Sequence, residues 1–290
     1  MIYMLQASTT QLLRIKFSFL LMPVYWFALG QINDINILNA SIIFIILHLF
    51  IYPASNAYNS YMDKDKGSIG CIKNPKTPTK QLFYASIFLD VIGFISGLII
   101  SYYFALALLL YISASRAYSY RGIRLKKYPF ISYIIAVVFQ GGLVYFMVYH
   151  GSNVLQPINV SYIPMVASTL MVGSFYPLTQ IYQHKQDKAD DVKTISMLLG
   201  YTGTFIFSAI CYFVSMVFMG YYFAGNLELD RFLVLVSCMF PTLLFFIWWF
   251  FAVKKNTVAA SFKNAMKMNW IAAGCSNVGF LVILLMKEKF

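Results

Sequence analysis

Apolar runs of about twenty residues recur along the whole chain, and they leave it few folds to choose from. A helix of about twenty residues crosses roughly 30 Å of hydrocarbon. Inside a bilayer every backbone N–H and C=O must find a partner within the protein, so only helix bundles and closed barrels span it. The runs are continuous rather than alternating, which selects helices. Residues of hydrophobic type make up 60% of the 290 positions and charged ones 11%, so an ordinary soluble domain is excluded. The expected fold is an all-α membrane protein, one transmembrane domain over residues 1–290. The run near Leu12 is followed by more of the same, so it reads as a retained span and not a cleaved signal.

Nine spans are predicted, near 12–30, 38–61, 80–101, 104–120, 130–150, 160–182, 194–223, 231–253 and 265–286. The third and fourth are nearly fused. With the N-terminus inside, the inner side receives every Lys and Arg except Arg231, Lys287 and Lys289, out of 22 in all. An even number of spans would scramble the later loops, so the positive-inside rule supports nine. The inner loops then fall at about 62–79, 121–129, 183–193 and 254–264. Basic loops against an anionic leaflet account for the net charge of +12, and no nucleic-acid partner is implied. Cys211, Cys238 and Cys275 lie within spans and Cys71 in an inner loop, with no C-x-x-C among them.

Half of the ten acidic residues sit in two short clusters: Asp63 and Asp65, then Asp187, Asp190 and Asp191. The clusters align with each other. Asn56-x-x-Asn59-x-x-x-Asp63 and Gln180-x-x-Gln183-x-x-x-Asp187 stand a constant 124 positions apart, at the inner ends of the second and sixth spans. That suggests two related four-helix halves plus one further helix. Residues four apart share a helix face, so Asn59 and Asp63 point one way, as do Gln183, Asp187 and Asp191. An amide followed by a carboxylate at a helix end suits hydrated Mg²⁺, which takes one or two carboxylates and fills its shell with water and substrate phosphate. Two facing ends would clamp a diphosphate through metal. The plainer reading, solvated loops with ordinary Asp and Lys, is weakened by the repeat and by the scarcity of acids elsewhere. Asp90, in the middle of the third span, reads as a helix–helix contact or a pocket residue. His48 reads as a packed polar residue, and His184 is no ligand for a cation that prefers oxygen.

Asn59-x-x-x-Asp63, Asp187-x-x-x-Asp191 with the following Lys193-Thr-Ile-Ser-Met-Leu-Leu-Gly200, and Tyr118-Ser-Tyr-Arg-Gly-Ile-Arg124-Leu-Lys126 together resemble the UbiA superfamily of intramembrane prenyltransferases. The resemblance covers nearly the whole chain. It implies nine helices and an Mg²⁺-dependent active site, with Asn59, Asp63, Asp187 and Asp191 catalytic. The implied metal set is Asn59, Asp63, Asp65, Gln183, Asp187 and Asp191. Diphosphate would be held by Tyr118, Tyr120, Arg124, Lys126 and Lys193. The last acid of the first motif falls on Gly67; Asp65 substitutes only if the segment is loop, since on a continuous helix it points about 200° from Asp63.

The implied reaction ionises a prenyl diphosphate and transfers the prenyl group to a lipophilic, possibly aromatic, acceptor. The alternative within the superfamily is a terpene cyclase that needs no acceptor. A non-enzymatic carrier or channel is the third class; it would more readily show interrupted helices at the midplane. The expected location is the cytoplasmic membrane, with membrane lipid around the bundle and the site facing the cytoplasm. Prenyl length and acceptor are not legible in the residues.

Overall fold

A computed structural model describes residues 5–64 and 67–287. Helix accounts for 81% of the chain, and no strand forms among the described residues. In chain order the helices are α1 Ala7–Leu12, α2 Ser18–Gly30, α3 Ile37–Ile45, α4 Tyr52–Asp63, α5 Lys80–Ile100, α6 Tyr102–Ser119, α7 Pro129–Val137, α8 Val144–Ser152, α9 Tyr162–Gln180, α10 His184–Ala189, α11 Ile195–Gly225, α12 Leu229–Lys255 and α13 Phe262–Lys287. A π-helical turn, Ile46–Ile51, fuses α3 to α4, and another, Val138–Leu143, fuses α7 to α8. Seven helical stretches are long and apolar enough to cross a membrane: Ala7–Gly30, Ile37–Asp63, Lys80–Ile100, Pro129–Ser152, Ile195–Gly225, Leu229–Lys255 and Phe262–Lys287. α6 and α9 are not among these seven.

Local chemistry explains the breaks. Pro53 has no N–H to give to the turn before it, and the wide turn Ile46–Ile51 lies just upstream. In the second π turn, a Cβ on Gly141 would stand 2.5 Å from the Thr169 backbone, so only glycine lets α9 approach this closely. The nearly fused third and fourth spans are separated by one extended residue, Ser101, whose hydroxyl caps α6 through the Phe104 N–H (3.0 Å) and contacts His150 Nε2 (2.8 Å). Arg14, left-handed at φ 48°, bends the chain between α1 and α2.

The main core lies where α2, α3, α8, α11 and α13 meet, around Phe27, Ile43, Tyr145, Phe223 and Phe280. The outer faces of α5, α11 and α12 carry exposed Phe88, Ile99, Phe213, Tyr221 and Phe251. An apolar exterior over a packed interior is what a bilayer solvent requires, and the chain is an integral membrane protein. Asp90 is a helix–helix contact: it pairs with Arg116 of α6, whose guanidinium also reaches Ser86 and lies 3.9 Å from the centre of the Tyr58 ring. His48 is packed, its Nδ1 3.2 Å from the Ser18 carbonyl.

Candidate active site

The ends of α4 and α9 open on one cavity of about 150 Å³. Asn59, Asp63, Tyr118, Lys126, Gln183 and Asp187 all line it. α4 runs unbroken to Asp63 and stops because Lys64 is left-handed at φ 51°. Asn59 and Asp63 therefore share a face one turn apart. Arg121 straddles that helix end, donating from Nε to the Met62 carbonyl (2.6 Å) and from Nη2 to the Asp63 carbonyl (3.3 Å). These bonds occupy carbonyls that a helix C-terminus leaves without partners.

The Asp63 carboxylate is only 4% exposed. Its Oδ2 accepts from Lys126 Nζ at 2.5 Å, while Oδ1 is buried with no hydrogen-bond partner among the described residues. Asn59 donates from Nδ2 to Ser119 Oγ (2.9 Å), which turns its carbonyl oxygen elsewhere. Tyr118 and Tyr176 share a hydroxyl–hydroxyl bond of 2.7 Å on the cavity wall.

The second acidic segment departs from the first. α9 ends at Gln180, and the polar stretch after it turns instead of continuing the helix. The turn gives its side chains partners across the site: Gln183 Nε2 donates to the Ser68 carbonyl (3.2 Å), and Gln180 Oε1 lies 3.5 Å from the Ser196 N–H. His184 stacks on Tyr201 and bonds Ser196 Oγ at 2.8 Å, and Ser196 Oγ continues to Thr204 Oγ1 at 2.9 Å. Burial pushes the His184 pKa down, so the ring is neutral at neutral pH. It faces Ser196 and Tyr201 of α11.

Four expected site residues lie elsewhere. Asp191 is not on the cavity wall. α10 ends at Ala189, and Asp191 takes a left-handed φ of 53° that carries its side chain into solvent, 94% exposed and 3.4 Å from Lys127 Nζ. Arg124 is buried, but it pairs with the Asp190 carboxylate and carbonyl, so it fastens the second acidic segment and does not line the cavity. Tyr120, just past the end of α6, is 49% exposed. Lys193 is exposed, and the neighbouring Thr194 lines the cavity in its place while capping α11 through Met197 N–H. Asp65 lies outside the described residues. Gly67 sits against the second segment, where an added Cβ would meet Gln186 Oε1 at 2.3 Å.

Arg14 and Tyr176 stand on the wall although the sequence reading does not place them at the site. Arg14, classed there only as an inner-side positive charge, is turned onto the cavity by its left-handed backbone. Tyr176 lies four residues before Gln180, so extending the Gln180–Gln183 ladder one turn back would have found it.

A family model described as the UbiA prenyltransferase family matches residues 18–271. The chain belongs to the UbiA prenyltransferase family. Solved structures share the UbiA fold at low identity. A UbiA homolog from Archaeoglobus fulgidus bound to Cd²⁺ superposes with a TM-score of 0.69 at 16% identity, covering 96% of this chain and 99% of that one. The Archaeoglobus fulgidus homolog bound to GPP and Mg²⁺ gives 0.65 at 15% identity over the same shares, 96% and 99%. The apo structure of a UbiA homolog from Aeropyrum pernix K1 gives 0.66 at 17%, covering 93% and 98%. No curated protein sequence matches the chain.

The residues on the wall suit a hard divalent cation. Asp63 and Asp187 supply carboxylate oxygen, Asn59, Gln180 and Gln183 amide oxygen, and the Asp63 Oδ1 atom has no other partner among the described residues. Among the described residues no three Asp, Glu, His or Cys side chains gather into an all-protein cage. Mg²⁺ binds through one or two carboxylates and completes its shell with phosphate and water, and Asp63 and Asp187 supply two.

Proposed function

We propose that this protein is an Mg²⁺-dependent intramembrane prenyltransferase. It ionises a prenyl diphosphate at the Asp63–Asp187 cavity and transfers the prenyl group to a lipophilic acceptor. The carrying observation is the charge balance of the wall. Arg14 and Lys126 face Asp63 and Asp187, so the charges of the described wall residues balance before substrate enters. A diphosphate brings several negative charges that these side chains leave unbalanced. A divalent cation between carboxylates and phosphate closes that gap, in agreement with the relatives that hold GPP or DMAPP with Mg²⁺.

Bound Mg²⁺ would supply Lewis-acid stabilisation of the departing diphosphate. Asp63 and Asp187 would hold it, with amide oxygen from Asn59 and Gln183. Lys126 neutralises Asp63 and would be within reach of a phosphate oxygen of a bound diphosphate. Arg14 adds a second charge to the leaving group. Tyr118 and Tyr176 place hydroxyls and ring faces where the allylic cation forms, and a π face stabilises that charge. Asp191, Tyr120, Arg124 and Lys193 are assigned no contact with substrate.

Three further readings belong with this one. Residues 1–290 act as a single domain with nine spans built from two four-helix halves plus one, α6 and α9 completing the seven apolar stretches. The active-site loops carry most of the basic residues, which favours the cytoplasmic side of an inner membrane. Transfer is favoured over cyclisation because a chamber walled partly by hydroxyls and amides adjoins the diphosphate cavity in addition to a carbon-lined one, which leaves room for an acceptor besides the prenyl tail.

The test is purified protein in lipid nanodiscs with dimethylallyl, geranyl and longer prenyl diphosphates, with Mg²⁺ or with EDTA. Mg²⁺-dependent diphosphate release is the expected result. Its absence at every chain length would end the proposal.

A further inference from the structure

A cavity of about 300 Å³ lies between α9, α11 and α12. Its wall shares no residue with the diphosphate cavity. Ala209, Met216, Leu243 and Phe246 make it almost wholly carbon, and among the described residues no charged side chain lines it. Phe213 and Leu243 line it and are also exposed on the outer surface, so it opens sideways between α11 and α12 onto the bilayer. Phe175 belongs both to this wall and to that of a carbon-lined chamber beside the reaction site, so the two spaces are neighbours across one ring.

Two hydroxyls interrupt the carbon. Ser208 of α11 and Thr242 of α12 line the cavity at 1% and 4% exposure, and neither hydroxyl oxygen has a hydrogen-bond partner among the described residues. A helical Ser or Thr commonly donates to a carbonyl one turn back. Neighbours on the same two helices do find partners. Thr204 Oγ1 donates to the Gly200 carbonyl (2.6 Å), Ser215 Oγ to the Ala167 carbonyl of α9 (2.7 Å) and Ser237 Oγ to the Leu233 carbonyl (2.8 Å). A buried hydroxyl left without a partner is costly unless a ligand atom accepts from it.

Depth narrows the class of ligand. Thr242 is the central residue of α12, and Ser208 stands close to the centre of α11. At about 1.5 Å per residue both lie roughly 20 Å from the helix ends, near the bilayer midplane. A phospholipid brings only its hydrocarbon tails to that depth, because its ester and phosphate oxygens stay at the interface, about 15 Å away. Such tails would fill the cavity and leave both hydroxyls unpaired. A wall without charge rejects any ionised group, a diphosphate included. A carbonyl oxygen has two lone pairs and can accept from both donors. We propose that this cavity binds an uncharged lipid that carries a carbonyl oxygen within its hydrocarbon, and that Ser208 and Thr242 donate to that oxygen.

The experiment adds 9-heptadecanone, ¹³C-labelled at the carbonyl, to the protein in nanodiscs. Infrared difference spectra follow the carbonyl stretch, and thermal unfolding compares the ketone with heptadecane, which has no oxygen. A saturable band at lower frequency, the mark of an accepted hydrogen bond, is expected, and the ketone should raise the unfolding midpoint where heptadecane does not. Ser208→Ala and Thr242→Val should each weaken ketone binding about fivefold. Without ketone neither variant should lower the unfolding midpoint, because each removes a hydroxyl that has no bond to lose. Equal stabilisation by heptadecane would overturn the proposal, as would the absence of a shifted band or unchanged ketone affinity in both variants. Displacement of the ketone by geranyl diphosphate with Mg²⁺ would put it in the reaction site and overturn the assignment. A lowered midpoint in the ketone-free variants would show that the protein itself pairs these hydroxyls, with the same consequence.

Discussion

Replacing Lys126 with Met strands a carboxylate that the fold has buried. The Asp63 side chain is 4% exposed and that of Lys126 12%, with 2.5 Å between Nζ and Oδ2. At that separation and an effective dielectric of about 20, the gross attraction is about 7 kcal/mol. Desolvating the two ions costs several kcal/mol each, so the intact pair contributes little net stability. Removing one partner is different, because the remaining charge keeps its desolvation cost and loses its compensation, a loss of about 3–5 kcal/mol. At about 2–4 °C per kcal/mol the unfolding midpoint falls by about 6–20 °C. Intrinsic tryptophan fluorescence of the detergent-solubilised protein, heated in EDTA, reads this directly. Asp63→Asn in the same background removes the stranded charge and should recover most of the loss, while Mg²⁺ with a non-hydrolysable prenyl diphosphate should recover part of it without a second substitution. A Lys126→Met protein that unfolds within about 2 °C of wild type in EDTA would refute the pairing on which the charge-balance argument rests.

The two acids of the second motif should behave unequally. Asp187→Ala is expected to lower diphosphate release by at least about a hundredfold, as expected for an electrostatic group at the reacting phosphate. Asp191→Ala, with an exposed side chain, should stay within about threefold in the same assay. Tyr118→Phe loses its bond to Tyr176 and should cost activity, whereas Tyr120→Phe, on an exposed residue, should match wild type in kcat and KM. Gly200→Ala forces a side chain onto φ 66°, ψ −179° in α11, with no atom within 4 Å of the new Cβ. Backbone strain alone should therefore lower stability, by about 1–3 kcal/mol in thermal or denaturant unfolding.

Hydropathy made the helices legible because the bilayer demands them, and helix ends such as Lys80 and Lys287 fall within a few residues of their predicted places. Asn59 and Asp63 were legible because α4 stays helical through both, so their spacing of four maps onto one face. The same rule misplaced Asp191, because the helix it presumes stops at Ala189 and a left-handed residue follows. No hydrophobic pattern signals such a stop in a short, wholly polar stretch. Arg14 was hidden for a related reason: positive-inside counting registers a charge at a span's start but not the backbone bend that aims it inward. The Ser55–Ser115 and Asn59–Ser119 hydrogen bonds between α4 and α6 left a trace, since Ser115 and Ser119 repeat the four-residue spacing of Ser55 and Asn59. Neither pair alone reveals which helix the other faces.

The central claim is that Asp63 and Asp187 hold metal and diphosphate together in one cavity. The direct measurement is an experimental structure with Mg²⁺ and a geranyl thiodiphosphate analogue. It should place Mg²⁺ about 2.0–2.1 Å from a carboxylate oxygen of Asp63 or Asp187. The diphosphate should lie against Arg14 and Lys126, with Asp191 in solvent. Metal and diphosphate bound away from both Asp63 and Asp187 would contradict the account.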